Sequence, residues 1–171
     1  MENKKQTIKE LVPYIIILIV VIIIKQFIVT TVIVQGTSMV PTLKDGDVMI
    51  LNRLAYSNKE IKRFDIVVIN DHDTNIIKRV IGLPGERVEF KNNKLYINGK
   101  KVKQDFSHMD TEDFNIEELG STKVPKGKYF VVGDNRGNSL DSRAIGFIPK
   151  KEIKGKTKLV IIPFNRFGNK K

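Results

Sequence analysis

Three short runs bring together residue types capable of hydrolytic chemistry. Residues 36–43 read GTSMVPTL, with a single serine, Ser38, at the centre of a small, turn-forming stretch. A serine hydroxyl is a poor nucleophile until a neighbouring base takes its proton, and the usual base is a histidine supported by a carboxylate. The chain has two histidines, His72 in the polar run INDHDTN and His108 in another polar stretch, and neither has an evident catalytic setting. Lysine is the other option. With a reference pKa of about 10.4, only about one lysine in 2,500 is uncharged at neutral pH, but burial penalises the ammonium and lowers that value. The run NIIKRVIGLPGE, residues 75–86, embeds a lysine in an apolar strand. There Lys78 shares a face with Ile76 and Val80, and Arg79 shares the other with Ile77 and Ile81. The pattern alone does not say which of the two points inward, and a solvated edge position for Lys78 is the alternative. Chemistry selects Lys78 as the candidate base, because arginine does not give up its proton in proteins. The third run, GDNRGNSLDSR at 133–143, packs Ser139, Asp141 and Arg143 into a loop rich in side-chain donors and acceptors. Asp141 and Arg143 can pair and Ser139 can orient an amine; a polar surface turn is the alternative.

These runs must be positioned by the rest of the chain. Its 171 residues, 41% hydrophobic, suit one core with a small insertion. Candidate strands fall at 29–34, 48–54, 66–69, 76–83, 87–90, 95–97, 128–132 and 158–162, with turn residues between them. Asn98-Gly99 is a two-residue hairpin signal, and Lys44-Asp45-Gly46-Asp47 and Leu83-Pro84-Gly85-Glu86 are turns with glycine where positive φ is cheap. No long amphipathic helix follows the N-terminal segment. The expectation is a mainly β, antiparallel catalytic domain made of 30–87 and 127–171, with residues 88–126 as a small β-rich cap insertion.

The N-terminus is of another kind. After a mostly polar and charged stretch, 1–10, the run LVPYIIILIVVIII carries no charge from Leu11 to Ile24. Fourteen residues at about 1.5 Å each do not cross a core of roughly 30 Å, but extension through Lys25, Gln26 and Phe27 to Val29 does, with Lys25 snorkelling at one interface and Tyr14 at the other. The expected anchor is therefore 11–29. Ala55 and Ala144 are the only alanines in the chain, so no A-x-A cleavage site follows and the anchor is expected to be retained. Lys4, Lys5 and Lys9 precede it, which keeps the N-terminus cytoplasmic and the remainder outside, in a single pass through the cell membrane.

The net charge of +11 favours anionic lipid headgroups. It does not suit nucleic acid: the basic residues are dispersed, tryptophan is absent, and no aromatic-basic interleaving builds a stacking platform. There is no cysteine for a disulfide or thiolate chemistry, no metal-ligand spacing and no cofactor motif. Oligomeric state is not encoded in any visible pattern.

At these residues the sequence resembles the type I signal peptidases, membrane-bound serine proteases with a Ser-Lys dyad. GTSMVPTL resembles the family's nucleophile box, KDGDVMILNRL the strand box after it, KRVIGLPGE the box with the general base, and GDNRGNSLDSR the last box. The order of boxes, the single anchor and the compact cap are similar to Gram-positive members; the Ser-Met-x-Pro element by itself also occurs in self-cleaving repressor proteases. The resemblance implies Ser38 as nucleophile and neutral Lys78 as general base, with Ser139 bonded to the lysine and an Asp141–Arg143 salt bridge beside the site. It also implies that the Ser38 N–H is one oxyanion donor. Some members place a second donor, a serine hydroxyl, two residues before the nucleophile; here that position is Gly36, which leaves the second donor open. The implied substrates are precursors bearing N-terminal signal peptides, cut at the outer membrane face after small residues of the Ala-x-Ala type. Shallow apolar pockets for them would be lined by Met39, Ile33 and Ile81. The competing readings are a pilus-type processing peptidase and an inactive, tethered binding protein of the same fold.

Overall fold

A computed structural model describes residues 2–23, 29–71 and 74–170, with backbone alone for 2–9, 23, 29 and 71. Helix α1, Glu2–Ile23, opens the chain and contains Pro13. Its apolar side chains from Leu11 to Ile22 are exposed. Among the described residues no helix is long and apolar enough to cross a membrane. The expected span 11–29 runs through 24–28, including Lys25, Gln26 and Phe27, and that stretch lies outside the described residues, as does His72.

Twelve strands follow among the described residues. In chain order they are β1 (Val29–Ile33), β2 (Val48–Asn52), β3 (Ile66–Asp71), β4 (Thr74–Gly82), β5 (Val88–Lys91), β6 (Lys94–Ile97), β7 (Lys100–Val102), β8 (Phe114–Asn115), β9 (Lys128–Val132), β10 (Ile148–Pro149), β11 (Ile153–Ile162) and β12 (Gly168–Asn169); a one-turn helix α2, Ser142–Ile145, lies between β9 and β10. Eight strands form one antiparallel sheet in the order β1-β2-β11-β3-β4-β9-β10, with β12 also paired to β11; four form a second sheet, β7-β6-β5-β8. The expected Asn98-Gly99 hairpin joins β6 to β7, with both residues at positive φ. Asn92 and Asn93, also at positive φ, make an equally tight turn between β5 and β6.

Apolar side chains divide into three clusters that explain the layering. Val88, Phe90, Leu95 and Phe114 of the second sheet pack on Ile81, Phe130 and Val132 of the first, so the small sheet lies over the β4–β9 region. Met39 and Leu43 of the loop between β1 and β2 pack with Met49, Leu51, Ile66 and Ile77, folding that loop back over the sheet. Val67, Ile69, Val80 and Val131 form a third cluster with Ile61, Tyr129 and Ile148. One rung of the ladder runs Val29–Asn52–Lys156–Val67–Lys78 across five adjacent strands. At about 4.8 Å per strand, the start of β1 and the centre of β4 are about 19 Å apart along that rung.

Candidate active site

The centre of β4 carries two cations into the interior: Lys78 is 4% exposed and Arg79 1%. The solvated edge position is thereby excluded, and the question of which residue points inward dissolves, because the pleat buries one on each face. Lys78 Nζ lies 2.7 Å from Ser38 Oγ. Burial pushes the Lys78 ammonium below the ordinary lysine value, against the opposing pull of the Asp141 carboxylate.

Ser38 is half-buried in a loop whose shape is fixed from both sides. Gly36 has φ of +79°, a conformation glycine adopts freely, and its N–H donates to Asp45 Oδ1 at 2.7 Å. The Val40 and Leu43 N–H groups donate to the Thr37 and Met39 carbonyls, while the Met39 and Leu43 side chains anchor the turn in the core. From the opposite side, the run 133–139 clamps the loop: Asn135 N–H donates to the Ser38 carbonyl at 3.0 Å, Asn135 Nδ2 to the Thr37 carbonyl at 3.2 Å and Asn138 Nδ2 to Thr37 Oγ1 at 3.2 Å. The Ser38 N–H itself donates to no group among the described residues.

The clamp is braced in turn. Arg143 donates through Nε and Nη2 to the two Asp141 oxygens, each at 2.9 Å, and Asp141 also accepts from Gly133 N–H at 3.0 Å and caps α2 through Arg143 N–H. Burial raises the Asp141 carboxyl, but the bonds from Arg143 and Gly133 outweigh it and the net value falls below the usual range. Ser139 Oγ is buried with no partner in hydrogen-bonding geometry, and lies near enough to Asp141 to help hold its charge. Gly133 is required by space: a Cβ there would overlap Ser139 and the Ser38 carbonyl oxygen.

Sequence reasoning missed a second brace. Arg79 donates to both oxygens of Asp134, at 2.8 and 2.6 Å, and to the Phe64 carbonyl at 3.0 Å, with its guanidinium stacked 3.9 Å from the Phe106 centroid. Asp134 is fully buried, and Arg136, also buried, bonds Thr111 and Gln104. The signal was available in part: an arginine in an apolar strand and an aspartate two residues past the end of another both need a partner once buried. Only the register of β4 with β9, Arg79 opposite Val132, shows that they are each other's.

A half-buried hydroxyl against a lysine driven toward its neutral form is an arrangement for nucleophilic attack on a carbonyl. With that geometry in hand, comparison with known proteins is decisive. The sequence model described as signal peptidase, peptidase S26, matches residues 7–162. The chain belongs to the signal peptidase family. It is 43% identical over 153 residues to signal peptidase I of Bacillus caldolyticus, covering 83% of this chain and 84% of that one. It is 45% identical over 147 residues to signal peptidase I S of Bacillus subtilis, covering 81% and 80%. Among solved structures, a signal peptidase I from Enterococcus faecalis superposes with a TM-score of 0.53 at 38% identity, covering 57% of this chain and 97% of that one. This signal peptidase is thus a serine endopeptidase that removes signal peptides from precursor proteins.

His108, set aside in the sequence as a base, and the remaining expected site residues of the peptidase stand apart from the dyad contact. His108 Nδ1 is engaged with the Met109 carbonyl. Ser139 makes no hydrogen bond to Lys78; it stands beside Asp141 and Gly133 instead. Of the residues expected to line substrate pockets, Met39 and Ile81 are wholly buried in separate core clusters and present no surface, because both lie beneath other elements; Ile33, 59% exposed, does present one. Gly36 is no oxyanion donor in its own right, since Asp45 takes its N–H.

Proposed function

We propose that Ser38 is the nucleophile of this signal peptidase and Lys78 its general base. The carrying observation is the 2.7 Å separation of Nζ and Oγ with the amine buried. Neutral Lys78 accepts the Ser38 proton as Oγ attacks the scissile carbonyl carbon. The oxyanion accepts the unengaged Ser38 N–H, a kind of bond worth a few kcal/mol in other proteases. Lys78 then returns the proton to the departing amine, and activates the water that hydrolyses the acyl-enzyme. Asp141, Arg143 and Ser139 act behind the dyad by holding the 133–143 run against the Ser38 loop. Lys78 needs no metal or cofactor to do this.

The cut falls after small residues of the Ala-x-Ala type, with Ile33 contributing apolar surface beside the Ser38 loop. The enzyme acts at the outer face of the cell membrane, held by a single anchor at 11–29 with its N-terminus in the cytoplasm. The exposed apolar length of α1 supports this, as do Ile162, Phe164 and Phe167, exposed on the β11–β12 side of the sheet, and the net positive charge, which favours anionic headgroups. Residues 30–87 and 127–171 make the catalytic unit, and 88–126, which include the second sheet, are a cap inserted in it.

The test is cleavage of a membrane-reconstituted precursor carrying an Ala-x-Ala site by wild type, Ser38→Ala and Lys78→Ala, with the product mass giving the cut position. Cleavage after the small residue by wild type alone is expected. Cleavage surviving in either variant would show that the dyad lies elsewhere.

A further inference from the structure

A groove on the face that buries Arg79 is used by none of the chemistry above. Strand β11 is paired with β3 as far as Thr157, opposite Ile66, and with β12 from Leu159, opposite Asn169. Where its partner changes, a cleft of about 270 Å3 opens between Phe64, Phe106, Lys156, Lys158 and Lys170. A second hollow, lined by Pro41, Thr42 and Ser107, shares Asp105, Phe106 and Lys170 with the first, so the two form one groove that starts at the Ser38 loop.

The groove has a surplus of positive charge. Arg63 is paired with Glu86, Arg79 with Asp134, Lys156 with Asp65 and Asp105 with Lys103. Among the described residues Lys158 and Lys170 have no carboxylate within ion-pair distance; Lys170 Nζ donates to the Arg166 carbonyl, and its charge acts at longer range on Asp47, which Arg166 already pairs. Thr42 is four residues from Ser38, at most about 14 Å along the chain, so an extended substrate reaches the groove within about four residues of the cut. Which side of the cut follows from what signal peptides are. Upstream of the cut they present a positively charged start, an apolar stretch and then a small-residue cleavage site, a pattern that offers two lysines no complementary charge. The chain downstream is free to carry acidic side chains.

We propose that this groove seats the segment of the precursor that follows the cut, and that Lys158 and Lys170 select acidic side chains there. The inference rests on Ser38 as the point of cleavage. Phe106, at the centre of the groove, stacks on Arg79, which bonds the Asp134 that precedes Asn135 in the clamp on Ser38.

The test uses the full chain in phosphatidylcholine vesicles and precursors identical through the cut, with paired Asp, Asn or Lys at positions three to eight beyond it. The expected kcat/KM order is Asp, then Asn, then Lys, with roughly fivefold between extremes, narrowing as salt is added. The double substitution Lys158→Glu with Lys170→Glu is expected to reverse the order; if that variant does not fold, Lys170→Ala should flatten it. Equal cleavage of all three precursors by wild type, or an order that survives the substitutions, overturns the proposal. So does a uniform, lysine-dependent gain on adding anionic phospholipid, which would assign the groove to headgroups. The dyad is judged separately, by whether Ser38→Ala still cuts.

Discussion

Lys78 is held between two opposing influences, and both its chemistry and its cost follow from the balance. Burial lowers its pKa more than Asp141 raises it. On the proposed mechanism the lysine must be neutral, so activity is expected to climb with pH and level off above that lowered value, short of the 10.5 of a free lysine. A pH-rate profile under single-turnover conditions checks this, a flat one counting against lysine as base. Lys78→Arg should be inactive, because arginine stays charged. Stability runs the same way: between the folded and unfolded values the unfolded chain binds the extra proton, so Lys78 costs stability at neutral pH and the cost eases as pH rises through the folded value. Lys78→Met should therefore raise Tm by roughly 2–4 °C while abolishing cleavage, as thermal melts would show. Asp141 behaves oppositely: its contribution is present above the unfolded value and is lost as pH falls through its lowered one. Gly133→Ala places a methyl against Ser139 and the Ser38 carbonyl oxygen. It should cut kcat by roughly 100-fold, since a shift of about 1 Å in the nucleophile is enough for that.

At the scale of elements, β4 and the run after β9 do most of the positioning, and they do it with buried charge. Asp134→Ala removes the buried carboxylate that bonds the Arg79 guanidinium through both oxygens and should destabilise the fold by about 3–5 kcal/mol, measured by urea unfolding. Replacing both partners with apolar residues of similar volume should cost much less. β4 was readable because its apolar alternation surrounds the basic pair. β11 was readable only at 158–162; its first half, IKGKT, alternates lysine with glycine and threonine and lacks the apolar run that marks a strand. It is a strand because β2 and β3 flank it, and Gly155 lets Asn52 approach more closely than a side chain would permit. The two-residue strands β8, β10 and β12 were invisible for a similar reason: their pairing comes from neighbours rather than from their own pattern.

At the scale of the molecule, the sheet sets the reach between the start of β1 and the proposed dyad. β1 begins on the same rung as Lys78, four strands and about 19 Å away. A sheet is stiff across its hydrogen bonds, so on the anchored reading of 11–29 the dyad is held at fixed reach from the bilayer. Inserting a ten-residue Gly-Ser tract between residues 28 and 29 should lower the rate on membrane-embedded precursors severalfold, through loss of effective concentration, and leave cleavage of a soluble peptide unchanged. Equal rates on both substrates would show that the junction does not set the reach.

The sequence by itself determined the family and which residues are candidates for its chemistry. A serine in a turn, a lysine among β-branched residues and a polar loop after an apolar strand are local patterns, and each survives translation along the chain. It also determined the mainly β character, through alternation and turn residues. The tertiary structure decided what depends on which strands become neighbours: that Lys78 and Arg79 are both buried, that Arg79 is paired with Asp134, that Ser139 stands against Asp141 and Gly133 rather than Lys78, and that Met39 and Ile81 are core. Burial and buried pairing arise between residues 40 to 60 positions apart, brought together by the Ser38 loop folding back on the sheet and by the pairing of β4 with β9. No local pattern carries that information, because the alternation that marks a strand says which residues share a face and not what will cover it.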